Sequence, residues 1–183
     1  MTTLQERIGN ERRRLREIRM NMLAAIEQKA NGDESFVPFY VASADYIDAT
    51  MARLHEQDVK MGDMIREKAD PAEDNIDEAI GQLEARLTGA KEHLKPFLAA
   101  RDELREKGAA ALELFENAGR VYSDFIVANM GHHDASSELS AKLFSPADWE
   151  FMANITDDEV AKEQKLFEKA AAARPASLNS TSG

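Results

Sequence analysis

The sequence predicts an all-α protein, an up-and-down antiparallel helical bundle with a four-helix core and an additional C-terminal helix. Three observations indicate this class. Apolar residues recur at steps of three and four through most of the chain, no segment alternates like a strand, and short turn-forming stretches separate the helical segments. With 183 residues, 43% of them hydrophobic, the chain is long enough for one well-buried domain. We place this domain at residues 1–173, and a disordered tail of small and polar residues at 174–183.

Two long helices are predicted in the first third of the chain. The first covers residues 2–30, because an apolar stripe runs from Leu4 to Ile26 and Asn31 with Gly32 forms a stop signal. The second starts near Ser35 and runs to about Lys68.

Capping signals divide the rest of the chain. Asp70-Pro71-Ala72-Glu73 supplies an N-cap, a first-turn proline and an acidic residue, which predicts the start of a third helix. Gly108 predicts the next reversal, and Ser145-Pro146-Ala147-Asp148 repeats the capping pattern before a further segment. Thr156 with Glu159 predicts the cap of the last helix.

Charge and composition exclude several classes of function. The chain has 23 basic and 34 acidic residues and a formal charge of −11, so it repels nucleic acid and anionic membranes, and neither is a predicted partner. There is no cysteine, which excludes disulfides, thiolate metal sites and cysteine nucleophiles. The N-terminus is charged, and no stretch approaches the roughly 18 apolar residues of a membrane span, which predicts a soluble cytoplasmic protein.

The second helix carries two side chains that can bind a metal. Its apolar stripe follows steps of four and three and includes one carboxylate; the stripe is Ile47, Met51, Leu54, Asp58, Met61 and Ile65. His55 stands three residues before Asp58, so both can reach one point in the interior. A buried carboxylate is costly unless it is paired, hydrogen-bonded or bound to a metal.

Counting equal distances from each turn brings other polar residues to the same level of the bundle. Glu11, His55, Asp58, His133 and Glu163 could share one layer, with His132 beside His133. A layer of carboxylates and histidines inside a helical bundle suits iron or manganese. Alternatively these groups satisfy one another, for example through a hydrogen bond between His55 and Glu11, or they lie at a hydrated end of the bundle. Whether the fourth helix continues past Gly131, which places His133, is open.

The chain resembles the hemerythrin-like, or HHE, family of bacterial helical bundles. The resemblance rests on His55 in RLHEQD, on the doublet in GHHDASSELSAKLF and on Glu163 in KEQKLF. It implies a non-haem iron site, di-iron or mononuclear, in which His55, His133 and Glu163 are ligand candidates. It also implies a small diatomic ligand. The chain has four histidines, fewer than respiratory hemerythrins use, so an oxygen carrier of that type is not expected.

Three functions remain open from the sequence. The first is an iron protein that senses, scavenges or handles oxygen, nitric oxide or peroxide, with manganese as an alternative metal. The second is a di-iron oxidase or oxygenase. The third is a metal-free acidic bundle that acts as an interaction or regulatory protein, in which the polar layer fixes the register of the helices. A homodimer is the assembly we consider for each of them.

Overall fold

The computed structural model describes residues 3–72, 74–129 and 134–179, and within these ranges the fold is all-α, without a strand. This confirms the predicted class. Four helices form a closed ring in which α1 packs on α2, α2 on α3, α3 on α4 and α4 on α1. Their bounds are α1 Leu4–Gln28, α2 Val37–Lys68, α3 Ile76–Lys107 and α4 Leu112–Asn129.

The remaining helices lie along the outside of this ring. They are α5 Ala135–Leu143, α6 Pro146–Met152, α7 Asp157–Ala172 and α8 Ala176–Asn179. The longest of them, α7, packs mainly against α2 and is the predicted additional helix. Capping boxes at Ser145 and Thr156 start α6 and α7, as the sequence predicts.

Aromatic side chains fill the centre of the four-helix ring. Phe39, Tyr40, Phe97 and Phe115 are each at most 1% exposed, and the ring centroids of Tyr40 and Phe115 are 4.8 Å apart. Glu116 ties three helices together at one end of this core, because its Oε1 accepts from the Ala30 N–H and from the Tyr40 hydroxyl, each at 2.7 Å. These contacts fix α2 against α1 and α4, and so position the polar residues farther along α2.

The start of α3 differs from the prediction. The helix begins at Ile76, because Asp70 and Pro71 form a turn of their own in which the Asp70 carbonyl accepts from the Asp74 N–H at 2.8 Å. The Asp70 side chain accepts from the Ala72 N–H at 2.9 Å, which is an Asx-type turn rather than a helix cap. A capping residue followed by proline thus forms a turn at Asp70 and starts a helix at Ser145.

Part of the predicted disordered tail folds back on the bundle. Ala176–Asn179 form α8, and Leu178 is only 2% exposed within the main core. One apolar residue in a polar segment therefore anchors it. In the described part of the chain, no helix has both the length and the apolar character that crossing a membrane requires.

Candidate functional site

Helix α2 has two buried stripes, and the candidate site lies on the one that the sequence analysis did not identify. Besides the predicted stripe, a second row at steps of four and three is at most 7% exposed; it consists of Phe39, Ser43, Tyr46, Thr50 and Arg53. Two members of this row contact α7: the ring centroids of Tyr46 and Phe167 are 5.8 Å apart, and Arg53 pairs with Glu163. The row ends in a buried cation, Arg53.

Arg53 lies between two carboxylates from other helices. Its Nε donates to Glu163 Oε1 at 2.5 Å and its Nη2 to Glu163 Oε2 at 3.2 Å, a two-point contact between α2 and α7. Glu11 of α1 lies 3.4 Å from the same Nη2. The side chains of Arg53, Glu163 and Glu11 are 6%, 11% and 27% exposed. We call these three residues the Arg53 triad.

The triad keeps its cation charged. Burial lowers the pKa of Arg53, but the hydrogen bond and the charge of Glu163, with the charge of Glu11, more than offset it, so the pKa is raised. A guanidinium that keeps its proton is thus held between two of the predicted metal ligands.

About one turn farther along α2, a second arginine lies between two carboxylates. Arg86 of α3 lies 3.7 Å from Asp58 Oδ2 and 2.6 Å from Asp134 Oδ2. Asp134 also caps α5, where its side chain accepts from the Ser137 N–H at 3.0 Å. We call Asp58, Arg86 and Asp134 the Arg86 bridge.

Of the four carboxylates in these two clusters, Asp58 lies farthest from an arginine. Its side chain is 39% exposed, so it lies at the edge of the bundle rather than deep in the core as the stripe predicts. Burial by surrounding protein atoms raises the pKa of Asp58, Arg86 and His55 lower it, and Asp134 raises it again, with a net increase.

The predicted site residues are thus only partly brought together. Glu11 and Glu163 meet at Arg53, and Asp58 lies near His55, which is half-buried, and near Asp134. His132 and His133 lie outside the described residues, as does the chain around Gly131. Within the described ranges, no three His, Asp or Glu side chains are grouped to hold a metal ion.

The described carboxylates do not fit the predicted metal centre, because arginines already engage them. Glu11 and Glu163 direct oxygens at Arg53, and Asp58 and Asp134 direct oxygens at Arg86. A metal ion at either point would face a fixed positive charge a few ångströms away. The chemistry that these groups offer is recognition of an acceptor or an anion, which is what guanidinium groups do.

A cavity adjoins both arginine clusters. It has a volume of 570 Å³ and lies where α1, α2 and α3 meet α5 and α6. Its charged lining residues are four arginines and two carboxylates, namely Arg7, Arg12, Arg53, Arg86, Glu11 and Asp58. Its apolar lining includes Leu54, Met61, Trp149 and Met152. We call it the arginine-lined cavity.

Both arginine bridges escaped the sequence analysis, although a signal for one was present. Arg53 continues the four-three spacing of Tyr46 and Thr50, but a stripe that contains serine, threonine and arginine looks like a solvated face. Arg86 occupies an ordinary charged position of α3, and the packing of α2 and α5 gives it partners.

Comparison of the chain with protein-family models finds no match, and comparison with curated proteins and with solved structures finds none either. The resemblance to hemerythrin-like proteins therefore rests on the quoted sequence motifs alone and stays a prediction.

Proposed function

We propose that this chain is a metal-free helical bundle that acts by binding a partner molecule, the interaction or regulatory function among the three alternatives. One observation carries the proposal: the Arg53 guanidinium lies between Glu11 and Glu163, two of the residues that the sequence predicts as metal ligands. The Arg53 triad then joins α1, α2 and α7, and the arginine-lined cavity beside it supplies a binding surface.

The arrangement suits binding better than catalysis by these residues. Arg53 is held by a two-point contact and keeps its proton, so it can donate hydrogen bonds but cannot act as a general base. The groups of the Arg86 bridge are likewise paired with each other. Guanidinium donors held in place beside a partly apolar cavity are therefore preorganised for an acceptor group attached to an apolar body.

The iron hypothesis keeps one supporting observation and is the second candidate. His55 and Asp134 are close enough to Asp58 to shift its pKa, and His132 and His133 directly precede Asp134 in the sequence. An iron or manganese ion bound by these residues would require Arg86 to leave Asp58 and Asp134. An oxygen-handling role, a diatomic ligand and a di-iron oxidase all depend on that rearrangement.

Elemental analysis separates the two candidates. The full chain is expressed with iron and manganese supplied, purified without chelator and analysed for both metals. We expect no stoichiometric metal, and the same thermal midpoint with and without a chelator, since a bound metal would stabilise the folded state. Stoichiometric iron that disappears in a His132→Ala/His133→Ala variant would overturn the proposal. Light scattering of the same sample tests the predicted homodimer.

A further inference from the structure

One residue that lines the arginine-lined cavity carries a buried donor that the described part of the protein does not satisfy. Nη1 of Arg53 is buried and finds no hydrogen-bond acceptor among the residues that the structure describes, although Nε and Nη2 of the same group are engaged. Arg53 is 7% exposed and lines the cavity. Leaving a buried charged donor unpaired is costly, so an acceptor atom is expected there.

Two cations at the cavity, unpaired within the described residues, favour an anion. Of the four arginines in its lining, Arg53 and Arg86 are already matched by the carboxylates of the Arg53 triad and the Arg86 bridge. Arg7 donates only to a backbone carbonyl, that of Ala153 at 3.1 Å, and within the described ranges neither Arg7 nor Arg12 forms an ion pair. Arg7 and Arg12 are therefore cations at the cavity without a counter-charge from the described part of the protein, and a carboxylate supplies both the charge and the acceptor oxygens.

The rest of the cavity favours an apolar body on the same molecule. Leu54, Met61, Trp149 and Met152 line it, and its volume of 570 Å³ lies inside the range of roughly 300–1,000 Å³ for small-molecule sites. A larger pocket of 640 Å³ beside the turn between α1 and α2 is lined by Lys29, Glu113 and Arg120, and no unpartnered buried donor is found there among the described residues. The arginine-lined cavity thus combines features that the larger pocket lacks.

We propose that the arginine-lined cavity binds an amphipathic carboxylate, with its head group on Arg53 Nη1 and Arg12 and its apolar chain against Met61, Trp149 and Met152. This inference rests on the proposed binding function and names the ligand class of that site. Recognition is through charge at one end and apolar contact at the other.

The only tryptophan of the chain lines the cavity and reports on binding directly. Decanoate and decanol are titrated separately into the full-length protein while the fluorescence of Trp149 is followed. The two probes share an alkyl chain and differ in the charge of the head group. We expect saturable changes with both and about tenfold or more tighter binding of decanoate, the worth of one charge-assisted hydrogen bond. Equal affinities, or no saturable change with decanoate, would overturn the proposal.

Variants assign the preference to the two arginines. Arg53→Met should remove the preference for decanoate over decanol. Arg53→Met also disturbs the fold, so Arg12→Gln provides a second test at the edge of the cavity. It should weaken the binding of decanoate several-fold and leave the binding of decanol unchanged. Arg66→Gln is the control, since Arg66 lies on α2 outside the cavity and pairs with Glu84 at 2.7 Å. A preference that survives in both Arg53→Met and Arg12→Gln would refute the assignment.

The same samples are analysed for iron and manganese, so that the two proposals fail in different ways. No metal and no preference for decanoate would refute only the ligand class. Stoichiometric metal with an intact preference would refute only the metal-free assignment, and stoichiometric metal without a preference would refute both.

Discussion

The Arg53 triad makes a quantitative prediction about stability. Arg53→Met keeps an unbranched apolar side chain but leaves Glu163, 11% exposed, without its cation. Removing one partner of a buried ion pair costs about 3–5 kcal/mol. The contact with Glu11 adds less than about 1 kcal/mol, because that side chain is 27% exposed and can be hydrated.

The expected result is a loss of about 3 kcal/mol in the free energy of unfolding, since methionine packing recovers part of the cost. Urea unfolding followed by circular dichroism measures it. With a slope of about 2 kcal/mol per molar, the midpoint should fall by about 1.5 M. Arg66→Met is the matched control on the same helix. The Arg66 side chain is 48% exposed, so the loss should stay below about 1 kcal/mol.

A double-mutant cycle tests whether the cost comes from the stranded carboxylate. Replacing both partners, Arg53→Met with Glu163→Leu, should recover most of the lost stability, because an apolar pair of similar volume replaces buried ions at little cost. The coupling between the two sites should be about 2 kcal/mol or more. Additive losses, or an Arg53→Met loss no larger than that of Arg66→Met, would refute the reasoning.

Two further predictions concern packing and pH. Gly119→Ala should cost about 1–3 kcal/mol, because the new Cβ would lie 2.8 Å from Cδ1 of the buried Ile26; thermal unfolding measures it. The pKa of Asp148 is lowered to about 2, mainly by the hydrogen bond from Lys68 and then by those from the N–H and hydroxyl of Ser145. This carboxylate therefore stabilises the fold at neutral pH, and its contribution disappears as pH falls from about 4 towards 2. The urea midpoints of the wild type and Asp148→Asn should therefore differ near neutral pH and converge in acid.

Each of these predictions has a clear contrary outcome. Gly81 lies on α3 with open space around the new Cβ, so Gly81→Ala should stabilise the folded protein by up to about 1 kcal/mol through helix propensity. A Gly119→Ala variant with the same effect on stability would contradict the packing argument. If the Asp148→Asn difference stays constant down to pH 2, the stabilisation does not come from the ionised carboxylate.

The sequence predicts the helices well because their apolar spacing and caps are local signals. The end of α2 at Lys68 and the starts of α6 and α7 follow from residues that are neighbours in the chain. Where two local solutions compete, as at Asp70 and Pro71, the sequence cannot choose between a helix cap and a separate turn. The burial of Leu178 depends on contacts with residues that are distant in the chain, so local signals do not predict it.

The sequence analysis relates several of these carboxylates to one another but gives no sign of the arginines that engage them. Counting from the turns correctly relates Glu11 to the middle of α2 and Asp58 to the region of residue 134. It does not reveal that arginines stand between these carboxylates, because a charged residue on a helix is solvated by default and only the packing of neighbouring helices buries Arg53 and pairs Arg86. Counter-charges are a property of packing, which periodicity does not encode.

The Arg53 triad also constrains the order in which the chain can assemble. Arg53 and Glu163 are 110 residues apart, so their contact forms only after nearly the whole chain is available. Until α7 docks, the Arg53 guanidinium has to remain hydrated. The face of α2 that carries Phe39, Tyr46 and Arg53 therefore cannot be fully buried before then. Folding of the first four helices and docking of α7 should consequently be coupled, with closure of this long loop as a slow, late step.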